Sequence, residues 1–198
     1  MTTGGAFGPG RLVLVVGPSG AGKDTLIGLA RDAFAGDSRV MFPRRLVSRP
    51  ADAFEDHDTI TEEAFLDGEA RGLYPLAWQA HGLCYALPPS VVDAVQHGRA
   101  VIVNVSRAVI PLARRRFAQV AVVLVTAPPD ILGRRLAARG RNENIEARLA
   151  RAAPETIDVA PDLSIFNVGD PVESVAALNG LIGRLLSADQ VMPARSLG

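Results

Sequence analysis

The chain has 198 residues, a length typical of one packed α/β domain with room for a small inserted lobe. Its 21 basic and 21 acidic residues balance at neutral pH, so net charge gives no reason to expect binding to nucleic acid or to a membrane surface. The single cysteine, Cys84, excludes an internal disulfide, and no apolar run reaches the roughly 20 residues that span a bilayer. The first residues show no hydrophobic signal segment, and these features together predict a cytoplasmic protein.

The first predicted elements are a strand and a helix joined by a glycine-rich turn. Residues 11–17 form a short β-branched run that ends in glycine, as a buried parallel strand does. From Lys23 to Phe34 apolar residues recur at helical spacing. Glycines in the turn between them let backbone amides approach a phosphate, and the helix N-terminus adds partial positive charge. The turn therefore predicts a phosphate-binding loop, whose nucleotide-binding residues are Gly17, Pro18, Ser19, Gly20, Ala21, Gly22, Lys23, Asp24 and Thr25.

Two residues of this loop carry its chemistry. Lys23 is the only lysine in the sequence, and it stands where a flexible point charge reaches the β- and γ-phosphates. Asp24 stands where the common pattern has a serine or threonine that ligates Mg²⁺. Because a carboxylate beside a triphosphate is repelled unless a cation lies between them, we predict that Asp24 is a metal ligand, directly or through water. The alternative is an ordinary first-turn acid that the helix dipole stabilises.

The remaining elements indicate a sheet interrupted by an insertion. Residues 40–47 form a second candidate strand, weakened by Pro43, and residues 48–87 have little regular period, which predicts a lobe of short elements. Further strands are predicted at 100–106, 120–127 and 163–169, and helices at 91–97, 129–139, 145–153 and 171–186. This alternation predicts an α/β fold with a parallel five-stranded sheet flanked by helices.

Short motifs in a fixed order extend beyond the loop. They are GPSGAGK at 17–23, VSRP at 47–50, LAWQAHGLCY at 76–85, RRLAARGR at 134–141 and EARLARA at 146–152. In these motifs the chain resembles the guanylate kinase family. The resemblance implies a P-loop kinase fold that uses ATP and Mg²⁺, with an acceptor-binding lobe and an arginine-bearing lid. It suggests one kinase domain at 11–187, with its lobe at 48–87 and its lid at 139–148. The glycine-rich residues 1–10 are expected to form a flexible leader, and residues 188–198 a flexible tail.

The chain departs from guanylate kinases where those enzymes recognise guanine. Ala77 takes the place of a glutamate, Ala86-Leu87 replaces the G-T of a Y-G-T triplet, and Asn104-Val105-Ser106 replaces an acidic D-I-D. Alanine and leucine side chains cannot hydrogen-bond a base. The G-K-D loop, R-R-L-V-S-R and V-N-V-S-R-A are instead similar to the ribose 1,5-bisphosphate phosphokinase family of phosphonate catabolism. That resemblance implies a kinase that uses ATP to convert ribose 1,5-bisphosphate into 5-phosphoribosyl 1-diphosphate (PRPP).

An acceptor with two phosphates calls for several converging arginine forks. The candidate substrate-binding residues are Arg45, Ser48, Arg49, Tyr85, Arg107, His57 and His81. The residues expected to neutralise the transferring group are Lys23 and the lid arginines Arg139, Arg141 and Arg148. The alternatives are that the arginines are solvated or paired with acids, and that the two histidines are structural.

Other functions stay open at this point. A nucleoside monophosphate kinase of the guanylate kinase type would phosphorylate GMP, although Ala77 and Leu87 argue against it. A non-catalytic guanylate-kinase-like binding module would keep the fold without a working loop, and another small-molecule P-loop kinase would leave the lobe unexplained. We expect ATP and a small phosphosugar as partners, and neither nucleic acid nor a membrane. The sequence leaves the oligomeric state open, a homodimer included.

Overall fold

The structure, a computed structural model, describes residues 5–50, 56–80, 82–138 and 160–188. Its strands are β1 (Arg11–Val16), β2 (Val40–Met41), β3 (Arg45–Val47), β4 (His57–Thr59), β5 (Ala77–Ala80), β6 (Leu83–Ala86), β7 (Ala100–Asn104), β8 (Val120–Thr126) and β9 (Leu163–Phe166). Its helices are α1 (Lys23–Ala33), α2 (Glu62–Ala70), α3 (Ser90–Gln96), α4 (Ile110–Arg116), α5 (Pro129–Ala138) and α6 (Pro171–Ala188). A short 3₁₀ helix, Arg107–Val109, precedes α4. None of the helices in these ranges is both long and apolar enough to cross a membrane.

A parallel five-stranded sheet in the order β2-β7-β1-β8-β9 forms the centre of the molecule. Alternate residues of β1 face opposite sides: Val13 packs in the apolar layer that contains α1 and α6, and Leu14 in the layer that contains α3 and α4. Helices therefore cover both faces, and the predicted sheet is confirmed. Because parallel strands end at one edge, Val16 of β1 and Asn104 of β7 bring their following loops together.

A second sheet builds the inserted lobe, in the strand order β4-β3-β6-β5. Its small core contains Phe65, Tyr74 and Cys84, with the two aromatic rings stacked at 5.8 Å between centroids. The single strand predicted at 40–47 is wrong, because β2 joins the main sheet and β3 joins the lobe. Pro43 lies between them, and its missing N–H cannot continue a ladder. The lobe sheet consequently begins at Arg45, ahead of the predicted start at residue 48.

Two further differences concern the flanks of the sheet. Helix α4 was not predicted, although Pro111 in its first turn is a usual helix-start signal. The helix predicted at 145–153 lies outside the described residues, as do the lid and residues 189–198. Residues 5–10 of the expected leader pack on the domain: the Phe7 N–H donates to Arg116 O at 2.7 Å, and the Phe7 ring lies 5.3 Å from that of Phe117.

Replacing Phe7 tests this packing. We expect Phe7→Ala to lower the free energy of unfolding by about 2 kcal/mol, because the ring contact with Phe117 is lost and a gap remains beside a buried ring. Phe166→Ala is the matched control, since that ring is 61% exposed and should cost less than about 0.5 kcal/mol. Urea unfolding of the two variants measures both values. Equal effects would show that residues 5–10 do not contribute to the folded domain.

Candidate active site

The phosphate-binding loop connects β1 to α1, as predicted. A residue that follows the edge strand β9 holds this loop in place. Asn167, which directly follows β9 and is 1% exposed, donates its Nδ2 hydrogen to the Ala21 carbonyl at 2.8 Å. Gly22 has a φ of +90°, and a Cβ there would overlap the Asn167 amide. Only glycine satisfies both the left-handed conformation and this close approach. The loop shape therefore depends on a side chain far away in the sequence.

Lys23 lies across the loop. Its ammonium donates to the carbonyls of Gly17 and Pro18, each at 2.9 Å. These bonds keep the positive charge over the glycine-rich turn, at the N-terminal end of α1. The only lysine of the sequence is thus close to the backbone amides that would meet a nucleotide phosphate.

Asp24 connects the phosphate-binding loop to the central sheet and to the inserted lobe. Its Oδ1 accepts a hydrogen bond from Asn104 Nδ2 at 2.8 Å and lies 3.8 Å from Arg45 Nη2. Asn104 is the last residue of β7 and is 9% exposed, whereas Arg45 opens β3 in the lobe. The sequence pointed to Asp24 and Arg45 separately but did not select Asn104 as a site residue. Its available signal was a polar residue at the carboxyl end of a buried strand.

Arg45 is a buried cation between an acid and an aromatic wall. Its guanidinium carbon lies 5.9 Å from the centre of the Tyr85 ring, which stacks on Trp78 at 5.4 Å. Side-chain exposure of Arg45 is 11%, so water screens its charge only weakly. The structure thus brings together Arg45 and Tyr85, two predicted acceptor residues, and places them next to Asp24.

Ser48 and His57 make contacts within the lobe. The Cys84 N–H donates to Ser48 Oγ at 2.8 Å, and the Ser48 N–H donates to Cys84 O at 3.0 Å. Burial raises the pKa of the Cys84 thiol, and this effect outweighs the hydrogen bond with Ser48, which lowers it. The thiol therefore stays protonated at neutral pH. His57 is 1% exposed, and its Nε2 lies 3.2 Å from the Arg49 carbonyl. The His57 side chain therefore contacts the main chain of Arg49, and its direct contact with substrate stays a prediction.

The remaining candidates divide into two groups. Arg107 is half-buried and begins the 3₁₀ helix that follows β7, so it lies near the strand end that carries Asn104. His81, Arg139, Arg141 and Arg148 lie outside the described residues, and their roles stay predictions.

Arg135 of α5 is a neighbour of the loop that the sequence did not single out. Its Nη1 donates to the Asn167 carbonyl at 3.1 Å and lies 3.8 Å from the point where a Cβ on Gly22 would be. The adjacent Arg134 instead forms an exposed ion pair with Asp130 one helical turn away. Two consecutive arginines look alike in the sequence, and packing alone separates them.

Comparisons with known proteins place this geometry in context. No protein-family model matches the chain. The chain is 55% identical over 172 residues to a ribose 1,5-bisphosphate phosphokinase of Methylobacterium radiotolerans, covering 86% of this chain and 96% of that protein. It is 51% identical over 167 residues to the enzyme of the same name from Bradyrhizobium diazoefficiens, covering 83% of this chain and 84% of that protein.

A solved structure shares the fold. The guanylate kinase of Anaplasma phagocytophilum superimposes with a TM-score of 0.65 over 98% of this chain and 92% of that chain, at 17% identity. The protein therefore has a guanylate kinase-like P-loop fold. At this identity the likeness shows the fold alone.

A pair of glycine substitutions tests the loop. We expect Gly22→Ala to weaken ATP binding at least about tenfold, because a side chain at φ +90° is strained and collides with Asn167. Gly28→Ala on α1 is the matched control: a Cβ there meets nothing within 4 Å, and alanine stabilises the helix by up to about 1 kcal/mol. Titration calorimetry with ATP measures both variants. Unchanged ATP affinity in Gly22→Ala would move the nucleotide site elsewhere.

Proposed function

This chain belongs to the ribose 1,5-bisphosphate phosphokinase family, and we propose that it transfers the γ-phosphoryl group of ATP to the 1-phosphate of ribose 1,5-bisphosphate. The products are PRPP and ADP. One observation supports this function within the structure: Arg45, a buried arginine of the lobe, reaches Asp24 of the phosphate loop at 3.8 Å. The donor loop and a cation suited to an acceptor phosphate thus meet at one point.

The donor side uses the loop. Its backbone amides and the N-terminus of α1 would bind the phosphates of ATP, and Lys23 would exchange the Gly17 and Pro18 carbonyls for phosphate oxygens. A phosphate oxygen is a stronger acceptor for an ammonium group than a neutral carbonyl, so the exchange is favourable.

Asp24 fits the need for a metal ligand. A Mg²⁺ ion bound with ATP needs only one or two carboxylates from the protein, and Asp24 is an acid in the first turn of α1. In the described residues no cluster of three or more histidine, cysteine or acidic side chains is placed to hold a metal by itself. Such an ion would supply neutralisation of the charge on the β- and γ-phosphates. Asn104 would keep the carboxylate oriented through its 2.8 Å hydrogen bond.

The acceptor side uses the lobe. A phosphate dianion carries more charge than the Asp24 carboxylate, so it would compete well for the poorly solvated Arg45 guanidinium. Arg49 and Ser48 follow in the same segment and are proposed to bind the same phosphate, with Tyr85 as the wall beside it. Arg107 is proposed for the second phosphate. Ala77 lies on β5 and Leu87 is completely buried, and the apolar side chains of both offer no hydrogen bond to a purine.

The chemical step needs alignment and charge neutralisation. The accepting oxygen belongs to a phosphate whose second pKa is near 6, so it is already ionised and no general base is required. Lys23 and the lid residues Arg139, Arg141 and Arg148 are proposed to neutralise the charge that moves with the phosphoryl group. Lid closure would exclude water and limit hydrolysis of ATP. These substrates suit the cytoplasmic location expected from the sequence.

Product analysis tests the proposed reaction. With ATP and ribose 1,5-bisphosphate we expect PRPP and ADP, at a rate at least about 100-fold above that with GMP, because no polar side chain replaces the guanine-binding glutamate at Ala77. Ribose 5-phosphate is the control acceptor, since it lacks the 1-phosphate and should give no product. Anion-exchange separation of the products measures all three. Phosphorylation of GMP at a comparable rate would overturn the proposal in favour of a nucleoside monophosphate kinase.

Substitution of Asp24 tests its metal role. We expect Asp24→Asn to raise the Mg²⁺ concentration for half-maximal rate at least about tenfold, because an amide is a weaker ligand than a carboxylate. Asp32 lies about two turns further along the same helix and is exposed. Asp32→Asn is therefore the control and should leave the Mg²⁺ requirement unchanged. Binding of Mn²⁺ in the presence of a non-hydrolysable ATP analogue gives a readout independent of turnover. An unaltered metal requirement in Asp24→Asn would leave Asp24 with a positioning role only.

A further inference from the structure

Two side chains of β4 converge on one carbonyl. His57 Nε2 and Thr59 Oγ1 each lie 3.2 Å from the Arg49 carbonyl oxygen. Residues 57 and 59 share a face of the strand because side chains alternate along it. A carbonyl can only accept a hydrogen bond, so Nε2 of His57 carries the hydrogen of this contact. The Arg49 carbonyl thus receives two side-chain donors.

The backbone pairing between β3 and β4 ends shortly before Arg49. The strand β3 ends at Val47, whose carbonyl accepts the last ladder bond from the Ile60 N–H at 3.0 Å. Pro50 follows Arg49, has no N–H to donate, and favours an extended conformation for the residue before it. Beyond the end of this ladder, the side chains of His57 and Thr59 contact the Arg49 carbonyl.

Hydrogen bonds to β6 hold Ser48, and contacts from Arg44 hold β4. Ser48 and Cys84 exchange two hydrogen bonds, which fasten residue 48 to β6. Arg44 donates to the His57 carbonyl at 2.8 Å and pairs with Asp58 at 2.9 Å, which fixes β4 itself. The dipeptide Ser48-Arg49 is consequently fastened between β4 and β6.

We propose that His57 and Thr59 are positioning residues that fix the Arg49 main chain and thereby aim its guanidinium at the acceptor phosphate. Neither side chain touches the substrate. This assignment rests on the proposed function, in which Arg49 binds that phosphate, and it replaces the expectation that His57 binds substrate directly. An arginine fork recognises phosphate by geometry, so a small displacement of its main chain weakens both of its hydrogen bonds.

Thr59 offers the sharper test because its side chain is exposed and its replacement should not disturb folding. We expect Thr59→Val, which keeps the shape but loses the hydroxyl, to raise KM for ribose 1,5-bisphosphate about three- to tenfold, the loss of one hydrogen bond. KM for ATP should not change. Thr59→Ser, which keeps the hydroxyl, should restore the wild-type value. His57→Phe should act in the same direction, and thermal unfolding shows whether that buried substitution still folds.

A double-mutant cycle shows whether the effect passes through Arg49. Arg49→Met alone should raise KM for the bisphosphate strongly. If Thr59 acts by aiming that guanidinium, Thr59→Val should add nothing in the Arg49→Met background. Additive effects, or an unchanged acceptor KM in Thr59→Val, would overturn the positioning role. If Arg49→Met itself leaves acceptor KM unchanged, or if wild type forms no PRPP, it is the proposed function that fails.

Discussion

The Asp24 carboxylate is the contact on which the organisation of the site depends. One of its oxygens meets Asn104 at 2.8 Å and Arg45 at 3.8 Å. These three residues belong to the phosphate loop, the central sheet and the inserted lobe. A carboxylate between an amide and a guanidinium satisfies partly buried polar groups that would otherwise be costly. The Asp24 carboxylate therefore connects the donor and acceptor sides of the site.

The distribution of charge around this contact suits an acceptor with two phosphates. Where guanylate kinases end the central strand in D-I-D, this chain has neutral Asn104 and Ser106. The acid of this site is Asp24, on the donor side, where a metal ion carried with ATP would offset it. The acceptor side has cations such as Arg45, and the nearby end of β7 carries no carboxylate at positions 104 and 106 that would repel a phosphate. A balanced net charge of the chain is therefore compatible with cations at the acceptor side of the site.

The lobe segment that carries these arginines is set between two prolines. Pro43 lies between β2 and β3, where its missing N–H cannot continue a ladder, and Pro50 directly follows the segment. Between them the chain crosses from one sheet to the other and presents Arg45, Ser48 and Arg49. Buried His57 then fixes the end of the segment by holding the Arg49 carbonyl. Backbone restrictions and one structural histidine give the arginines a defined position that the flexible side chains could not achieve alone.

The sequence alone determined the features whose physics is local. Glycines and a lysine between a buried strand and a helix define the loop at Gly17–Thr25, and continuous apolar runs define the strands of the main sheet. The tertiary structure alone decided which distant residues meet. Asn104 contacts Asp24 from 80 positions away, and Asn167 holds Ala21 from 146 positions away. It also turned His57 toward a backbone carbonyl. Such pairings depend on strand order and register, which no local pattern of residues encodes.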